Sequence, residues 1–367
     1  MRQRTEGVEA PVLQGARREH TGRVRPTRNA GARDASAAEC WHTHATVYVA
    51  FGCGELCGVC RSVTDAQHTI RRSVSCSGIG LHSGQKVTLS LKPARVGTGI
   101  RFRRADLGGI EIPATVDNVD RLHYATGLAR DAGTVETVEH LLAALVSLGV
   151  DNVIVVLNQA EVPIMDGSAA SFVYLVHEAG LKGQTTPRRY LKVLRPVALS
   201  RGDKRIALYP SDHFRVTYSI SFDHPLLRHM THTLRVTQES FVDEIAPART
   251  FGFLKEIEML RQKGLALGGS LDNAIVLGET GILNTSLRFE DEFVRHKILD
   301  AIGDLALVGY PVIGHLVAHR GGHELHAAFA EKILQESDAW RIVESPDREG
   351  VAADASTSVK APTPVTN

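Results

Sequence analysis

Apolar and polar residues alternate over Val87–Leu91, the period-two pattern of a half-buried strand. Ile100–Arg103 reads as a second strand after the Gly97/Gly99 turn. The period then changes. Val138, Leu141, Leu142 and Leu145 recur at helical spacing, which predicts a helix from an N-cap at Thr134 to Leu148, stopped by Gly149. Asn152–Leu157 has the length and composition of a buried strand, and Ala169–Ala179 is a second helix ended by Gly180. From Pro187 the scheme restarts, with strands near Tyr190–Val197, Lys204–Tyr209 and Phe214–Phe222, and then helices. Phe253–Gln262 is a helix with a Gly264 stop, Ala274–Leu277 a strand, and Asp291–Val308 one long helix ended by Gly309.

Strands followed by helices, twice over, predict an α+β protein of two similar domains, residues 66–185 and 186–344, joined by a linker at Leu181–Arg189. The similarity is one of pattern and not of sequence. The flanks differ from this body. Residues 1–65 are rich in Arg, Thr, Gly and Ala, with one short apolar stretch at Ala45–Phe51, and read as a disordered or non-native extension. Residues 345–367, rich in Ala, Ser, Thr, Pro and Val, read as a disordered tail.

Composition narrows the partners. The 367 residues carry 42 basic and 41 acidic side chains, a balance that argues against nucleic acid or an anionic membrane as the main partner. No apolar run approaches the ~20 residues needed to span a bilayer. Met1–Ala50 has no apolar block of ~7–15 residues before a small-residue cleavage site, so no secretory leader is expected. All five cysteines fall at or before Cys76, which fits a reducing cytoplasm better than a disulfide framework. A cytoplasmic monomer is the expectation.

The chemistry concentrates on two of the expected helices. His296, Asp300 and Asp304 recur at i, i+4 and i+8, one polar stripe beside the apolar face of Val294, Ile298, Ala301, Ile302 and Leu305. Alone, such a stripe reads more readily as a solvated face with ordinary ion pairs. Glu139 and His140 lie inside a mostly apolar helix, where they must be paired, exposed at a cleft, or bound to metal. Taken together, two imidazoles and one carboxylate supply three ligands and leave a fourth position for water, as in catalytic zinc sites. Bound metal lowers the water pKa toward ~7, and Glu139 beside a ligand could take that proton. The His-Glu-x-x-His motif itself is absent.

Several stretches in series carry a family resemblance. They are Gly78-Ile-Gly-Leu-His-Ser-Gly84, Thr137-Val-Glu-His140, Pro163-Ile-Met-Asp-Gly-Ser168, Ala248-Arg-Thr-Phe-Gly-Phe253, Arg288 through Lys297 with Asp300-Ala-Ile-Gly-Asp304, and Gly322-His323. With them the chain resembles the UDP-3-O-acyl-N-acetylglucosamine deacetylases, bacterial zinc amidases at the committed step of lipid A synthesis. The resemblance covers about Gln67 to Ile342. It implies a fold of two sheet-plus-helix layers with the helices packed together between the sheets, like the second domain of ribosomal protein S5. It also implies hydrolysis of the 2-acetamido group of the acylated UDP-sugar, with release of acetate.

Carried over residue by residue, the resemblance makes His140, His296 and Asp300 the ligands of one zinc ion and Glu139 the general base. His323, which follows the Gly321-Gly322 pair and reads as a loop residue, would be a cation oriented by Asp304, stabilising the oxyanion or protonating the leaving amine. Lys297 would add positive charge and Thr250 would donate to the oxyanion. An insert at about 251–280 would form an apolar passage for the acyl chain, with Leu265, Leu267 and Leu271 its lining or ordinary core. Phe251 and Phe253 would belong to the substrate pocket. Lys204 and Arg320 would lie near the diphosphate, with Arg where relatives carry Lys. Phe222 would lie near the uracil, beside Ser221 where some relatives carry Asp. His82, in the glycine loop, is assigned a structural or substrate-edge role.

Other readings remain open at this point. Fe2+ fits the same three ligands as zinc. Cys53-x-x-x-Cys57-x-x-Cys60 has the spacing that holds an iron–sulfur cluster in radical enzymes, or with Cys40, His42 and His44 a small zinc knuckle. The fold alone would also suit an RNA-binding module, against which the neutral charge weighs.

Overall fold

The protein is described by a computed structural model over residues 66–122 and 124–344. The extension 1–65 with its Cys and His cluster, and the tail 345–367, lie outside the described residues. Ten strands form two five-stranded sheets. The first comprises β1 (Val74–Ile79), β2 (Lys86–Pro93), β3 (Ile100–Arg104), β4 (Ile110–Pro113) and β5 (Val153–Leu157). The second comprises β6 (Val197–Arg201), β7 (Lys204–Tyr209), β8 (Arg215–Ile220), β9 (Met230–Arg235) and β10 (His315–His319). The longer helices among the described residues are α1 (Glu139–Ser147), α2 (Ala170–Ala179), α3 (Leu254–Gln262), α4 (Glu292–Leu305) and α5 (His323–Gln335).

The two sheets have the same connectivity. Their orders are β1-β2-β5-β3-β4 and β6-β7-β10-β8-β9. In each, only the β3/β5 or β8/β10 pair is parallel. A helix precedes the last strand of each sheet, α1 before β5 and α4 before β10, and another follows it, α2 and α5. Thus the expectation of two similar strand-then-helix halves is met at the level of topology. Along β2, Val87, Leu89 and Leu91 are buried and alternate with more exposed neighbours; Val216, Tyr218 and Ile220 do the same on β8. Each such side chain contributes roughly 1.5–3 kcal/mol of burial. The helices fill the space between: α1 packs on α4 and α2, α2 on β1, α4 on β8 and β9, and α5 on β6 and β7.

One close approach sets the geometry of this layer. A Cβ at Gly303 of α4 would lie 2.0 Å from the carbonyl oxygen of Glu139, the first residue of α1. Only a hydrogen there lets the two helix backbones touch. A mid-helix glycine costs about 1 kcal/mol against alanine, so propensity alone would not place one here.

Four sequence expectations need correction. The first helix begins at Glu139, not after a cap at Thr134. Thr134 lies in the strand Gly133–Val135, which pairs with Leu128–Arg130. The stretch expected as one strand at Tyr190–Val197 is two, Arg189–Val193 and Val197–Arg201, divided by Leu194-Arg195-Pro196. Proline has no N–H to donate to a ladder. The expected linker is largely strand: Leu181–Pro187 pairs with Ala66–Ile70. His323, expected in a loop after two glycines, opens α5 instead, with Gly322 as its N-cap.

Gly303→Ala is expected to cost ~1–3 kcal/mol through overpacking, with a fall in Tm of several degrees. Thermal melts of the two proteins check this; an unchanged Tm would mean that the helices do not need the contact.

Candidate active site and metal centre

The path into α1 is held at an unusual backbone. Thr137 has φ +59, rare for a β-branched residue. Its hydroxyl donates to the carboxylate of Glu161 at 3.1 Å, and the same carboxylate accepts from the backbone N–H groups of His82 and Ser83, each at 2.8 Å. The turn delivers Glu139 and His140 to the start of the helix, both buried.

Across from them, α4 presents His296 and Asp300, also buried. The ligand atoms of His140, His296 and Asp300 all lie within 4.8 Å of one another, a grouping suited to a metal ion. Asp300 Oδ1 is 3.5 Å from His140 Nε2 and 3.4 Å from His296 Nε2. His296 Nδ1 donates to the carbonyl of Ala248 at 3.1 Å, which fixes the tautomer and leaves Nε2 with a free lone pair. Burial drives its pKa down to about 3, so the ring is neutral, as a ligand must be. Burial alone would raise the Asp300 carboxyl, but the Lys297 ammonium beside it holds it well below the usual range. Lys297 Nζ lies 2.8 Å from Asp300 Oδ2. The set of two imidazoles and a carboxylate fits zinc and also Fe2+.

Asp304, one turn further along α4, is fully buried and faces the start of α5. Its Oδ2 accepts from His323 Nδ1 at 2.9 Å. A cation at a helix N-terminus is opposed by the dipole, and burial opposes it as well. The Asp304 charge and hydrogen bond outweigh both, raising His323 to about 9. His323 Nε2 in turn lies 4.0 Å from Glu139 Oε1. Burial pushes the Glu139 carboxyl up, against the pull of His323 and His140. Thr126 ties the two acids together: its N–H donates to Glu139 Oε2 at 3.0 Å, and its hydroxyl donates to Asp304 Oδ1.

Glu139, His140, His296, Asp300 and His323 open onto one cavity of about 630 Å³. Thr250, Phe251, Phe253, Phe222, Lys204 and Lys297 also line it. Phe222 packs against Phe251 and Phe253 with ring centroids 6.0 and 5.8 Å apart. The remaining expected substrate residues are not among the lining. Arg320, at φ +52, pairs with Asp203 at 3.1 Å. Leu265 is half-buried, while Leu267 and Leu271 are 55 % and 65 % exposed and so are not core. The Leu267 backbone is tied to the glycine loop through the His82 carbonyl. His82 is buried, with neither ring nitrogen hydrogen-bonded among the described residues.

A family model described as LpxC, UDP-3-O-acyl N-acetylglycosamine deacetylase, matches residues 67–335. The chain belongs to this family. Curated relatives carry the name UDP-3-O-acyl-N-acetylglucosamine deacetylase. One from Pseudomonas entomophila is 50 % identical over 281 residues, covering 76 % of this chain and 93 % of the relative. Another from Syntrophotalea carbinolica is 48 % identical, covering 76 % and 91 %. A third, from Geotalea uraniireducens, is 48 % identical over 280 residues with the same coverage.

The structure adds residues that the sequence reading passed over. Thr126 lies on a loop between short strands and gives no periodic signal. His326 is one turn after His323, visible as a partner only once that segment is known to be helical. Tyr218 looks like any inward strand residue.

Because His323 binds its proton more tightly folded than unfolded, the stability it contributes is full below pH 6.5 and is lost as pH rises through about 9. Imidazole 15N NMR should show its titration midpoint near 9, falling below 7 in Asp304→Asn. A midpoint near 6.5 in the wild type would remove Asp304 as the cause.

Proposed function

We propose that this protein hydrolyses the 2-acetamido group of UDP-3-O-acyl-N-acetylglucosamine, using one zinc ion, and releases acetate. The observation that carries the reading is the placement of Glu139 and His323, 4.0 Å apart, in one cavity with the His140, His296 and Asp300 cluster. Family membership and the names of the relatives support the substrate.

His140, His296 and Asp300 would hold the metal. Zinc bound there would supply Lewis acidity, lowering the pKa of water toward ~7 and polarising the amide carbonyl. Glu139 accepts a proton from the attacking water, whose oxygen bonds to the acetamide carbon. Thr250 and Lys297, both lining the cavity, stabilise the negative charge on the former carbonyl oxygen. When the C–N bond breaks, His323 gives its Nε2 proton to the departing amine. Asp304 keeps His323 charged and aimed. The Glu139 carboxyl, 4.0 Å from His323 Nε2, is placed to return a proton to it for the next cycle.

The cavity offers matching surfaces for the rest of the substrate. Phe222, Phe251 and Phe253 form an aromatic group suited to uracil and sugar faces, and Lys204 a cation for the diphosphate. Arg320 would reach the diphosphate only by leaving Asp203. Leu265 and Leu267, in the insert 251–280, lie outside the cavity lining and would meet the acyl chain only beyond its rim. No helix among the described residues is long and apolar enough to cross a membrane. A monomer working in the cytoplasm, on a lipid precursor and not on nucleic acid, completes the reading.

Acetate release from the UDP-linked substrate tests it. Glu139→Ala should lower kcat by ~10²–10⁴, and equal rates would refute the mechanism. Removing metal with a chelator should abolish the wild-type rate, and about one equivalent of zinc per chain should restore it. A rate indifferent to chelation would refute the metal role.

A further inference from the structure

The Asp304 carboxylate does not serve His323 alone. Its Oδ2 also accepts from His326 Nδ1 at 2.9 Å, one turn further into α5. Donation from Nδ1 to the carboxylate leaves Nε2 to accept from a hydroxyl. His326 Nε2 lies 2.9 Å from the hydroxyl of Tyr218, at the inner face of β8. Burial and the negative charges of Asp300 and Asp304 hold that phenol protonated, so it donates. Both side chains are buried, at 2 % and 0 % exposure. With Thr126 on Oδ1, three donors fix the plane of one carboxylate. A chain of donors thus runs from strand β8, through α5, to the acid on α4.

The same pair supports the cavity wall. A Cβ at Gly321 would come within 2.5 Å of the Tyr218 hydroxyl and 2.8 Å of His326 Nε2. The Gly321–Gly322 segment, which lines the cavity just before His323, therefore rests directly on this pair.

We propose that His326, backed by Tyr218, is a positioning residue for His323: it stops the Asp304 carboxylate from turning away and seats the loop that leads into His323. This rests on the assignment of His323 and Asp304 given above. His326 touches no substrate, so its loss acts on kcat rather than on binding. Leucine at 326 keeps the bulk and removes the donor. Asparagine keeps a donor at the place of Nδ1 and gives up only the link to Tyr218.

The test measures kcat and KM for acetate release, with Tm and zinc content, for wild type, His326→Leu, His326→Asn, Tyr218→Phe and Glu139→Ala. His326→Leu should lose about tenfold or more in kcat with KM within about twofold, as is usual for residues that orient a catalytic group. His326→Asn should recover most of that loss, and Tyr218→Phe should lose a few-fold. Wild-type kcat in His326→Leu, or an Asn variant no better than the Leu variant, overturns the inference while the Glu139→Ala defect keeps the assigned function intact. No acetate release by the wild type would instead overturn the function. Should His326→Leu fail to fold, Tyr218→Phe, one oxygen smaller, decides: an unchanged kcat overturns the inference.

Discussion

The contact between Gly303 and the Glu139 carbonyl is the constraint on which the rest depends. Glu139, His140, His296, Asp300 and Asp304 are each at most 4 % exposed. Removing such groups from water costs several kcal/mol apiece unless they satisfy one another. Two helices at ordinary separation would leave the groups of α1 and α4 too far apart to do so. Direct backbone contact brings them within reach, and it leaves no room for a methyl group. The strained Thr137 turn and the Glu161 clasp follow from the same need, since they fix where α1 begins.

The repeated connectivity explains why α1 and α4 are the helices that meet. Each precedes the last strand of its sheet and lies on the inner side of its half. The halves then diverge in what these helices carry. On α1 the polar residues are the first two, and the remainder through Leu145 is buried and apolar. On α4 they recur along two turns, His296 to Asp304. A short polar tip meets a long polar stripe, which lets one carboxylate and one imidazole from α1 contact groups at several heights on α4. The helices after the last strands differ as well. The second contributes His323 at its first turn, while the first begins Ala170-Ser171-Phe172 and serves packing.

Strands with clean alternation and helices with long apolar periodicity were legible from the residues, as Val87–Leu91 and Asp291–Val308 illustrate. The cluster of His140, His296 and Asp300 was legible because its members share two helices at regular spacing. What escaped detection depended on tertiary pairing. Thr134 looks like a helix cap until Leu128–Arg130 is known to pair beside it. Leu181–Pro187, with its Gly and Pro, looks like a linker until Ala66–Ile70 supplies a partner strand. Thr126, Tyr218 and His326 meet around the acids from segments far apart in the chain, and no local pattern marks them. The leucines of the insert failed in the other direction. Apolar identity suggested burial, yet Leu267 and Leu271 face outward.

Charge explains why such a site needs all of its parts together. With Glu139 ionised, three carboxylates face two fixed cations, Lys297 and His323, so the protein alone holds one excess negative charge. An environment of that sign would resist the oxyanion that amide hydrolysis creates. A dication held by His140, His296 and Asp300 would reverse the sign and leave the surroundings positive where negative charge develops. His323 matters to this balance because it stays charged up to a pH of about 9. It does so only because Asp304 outweighs both burial and the dipole of α5. The electrostatics of the cavity therefore hang on a carboxylate that lines none of it, and the donors from Thr126, His326 and, behind it, Tyr218 keep that carboxylate in place.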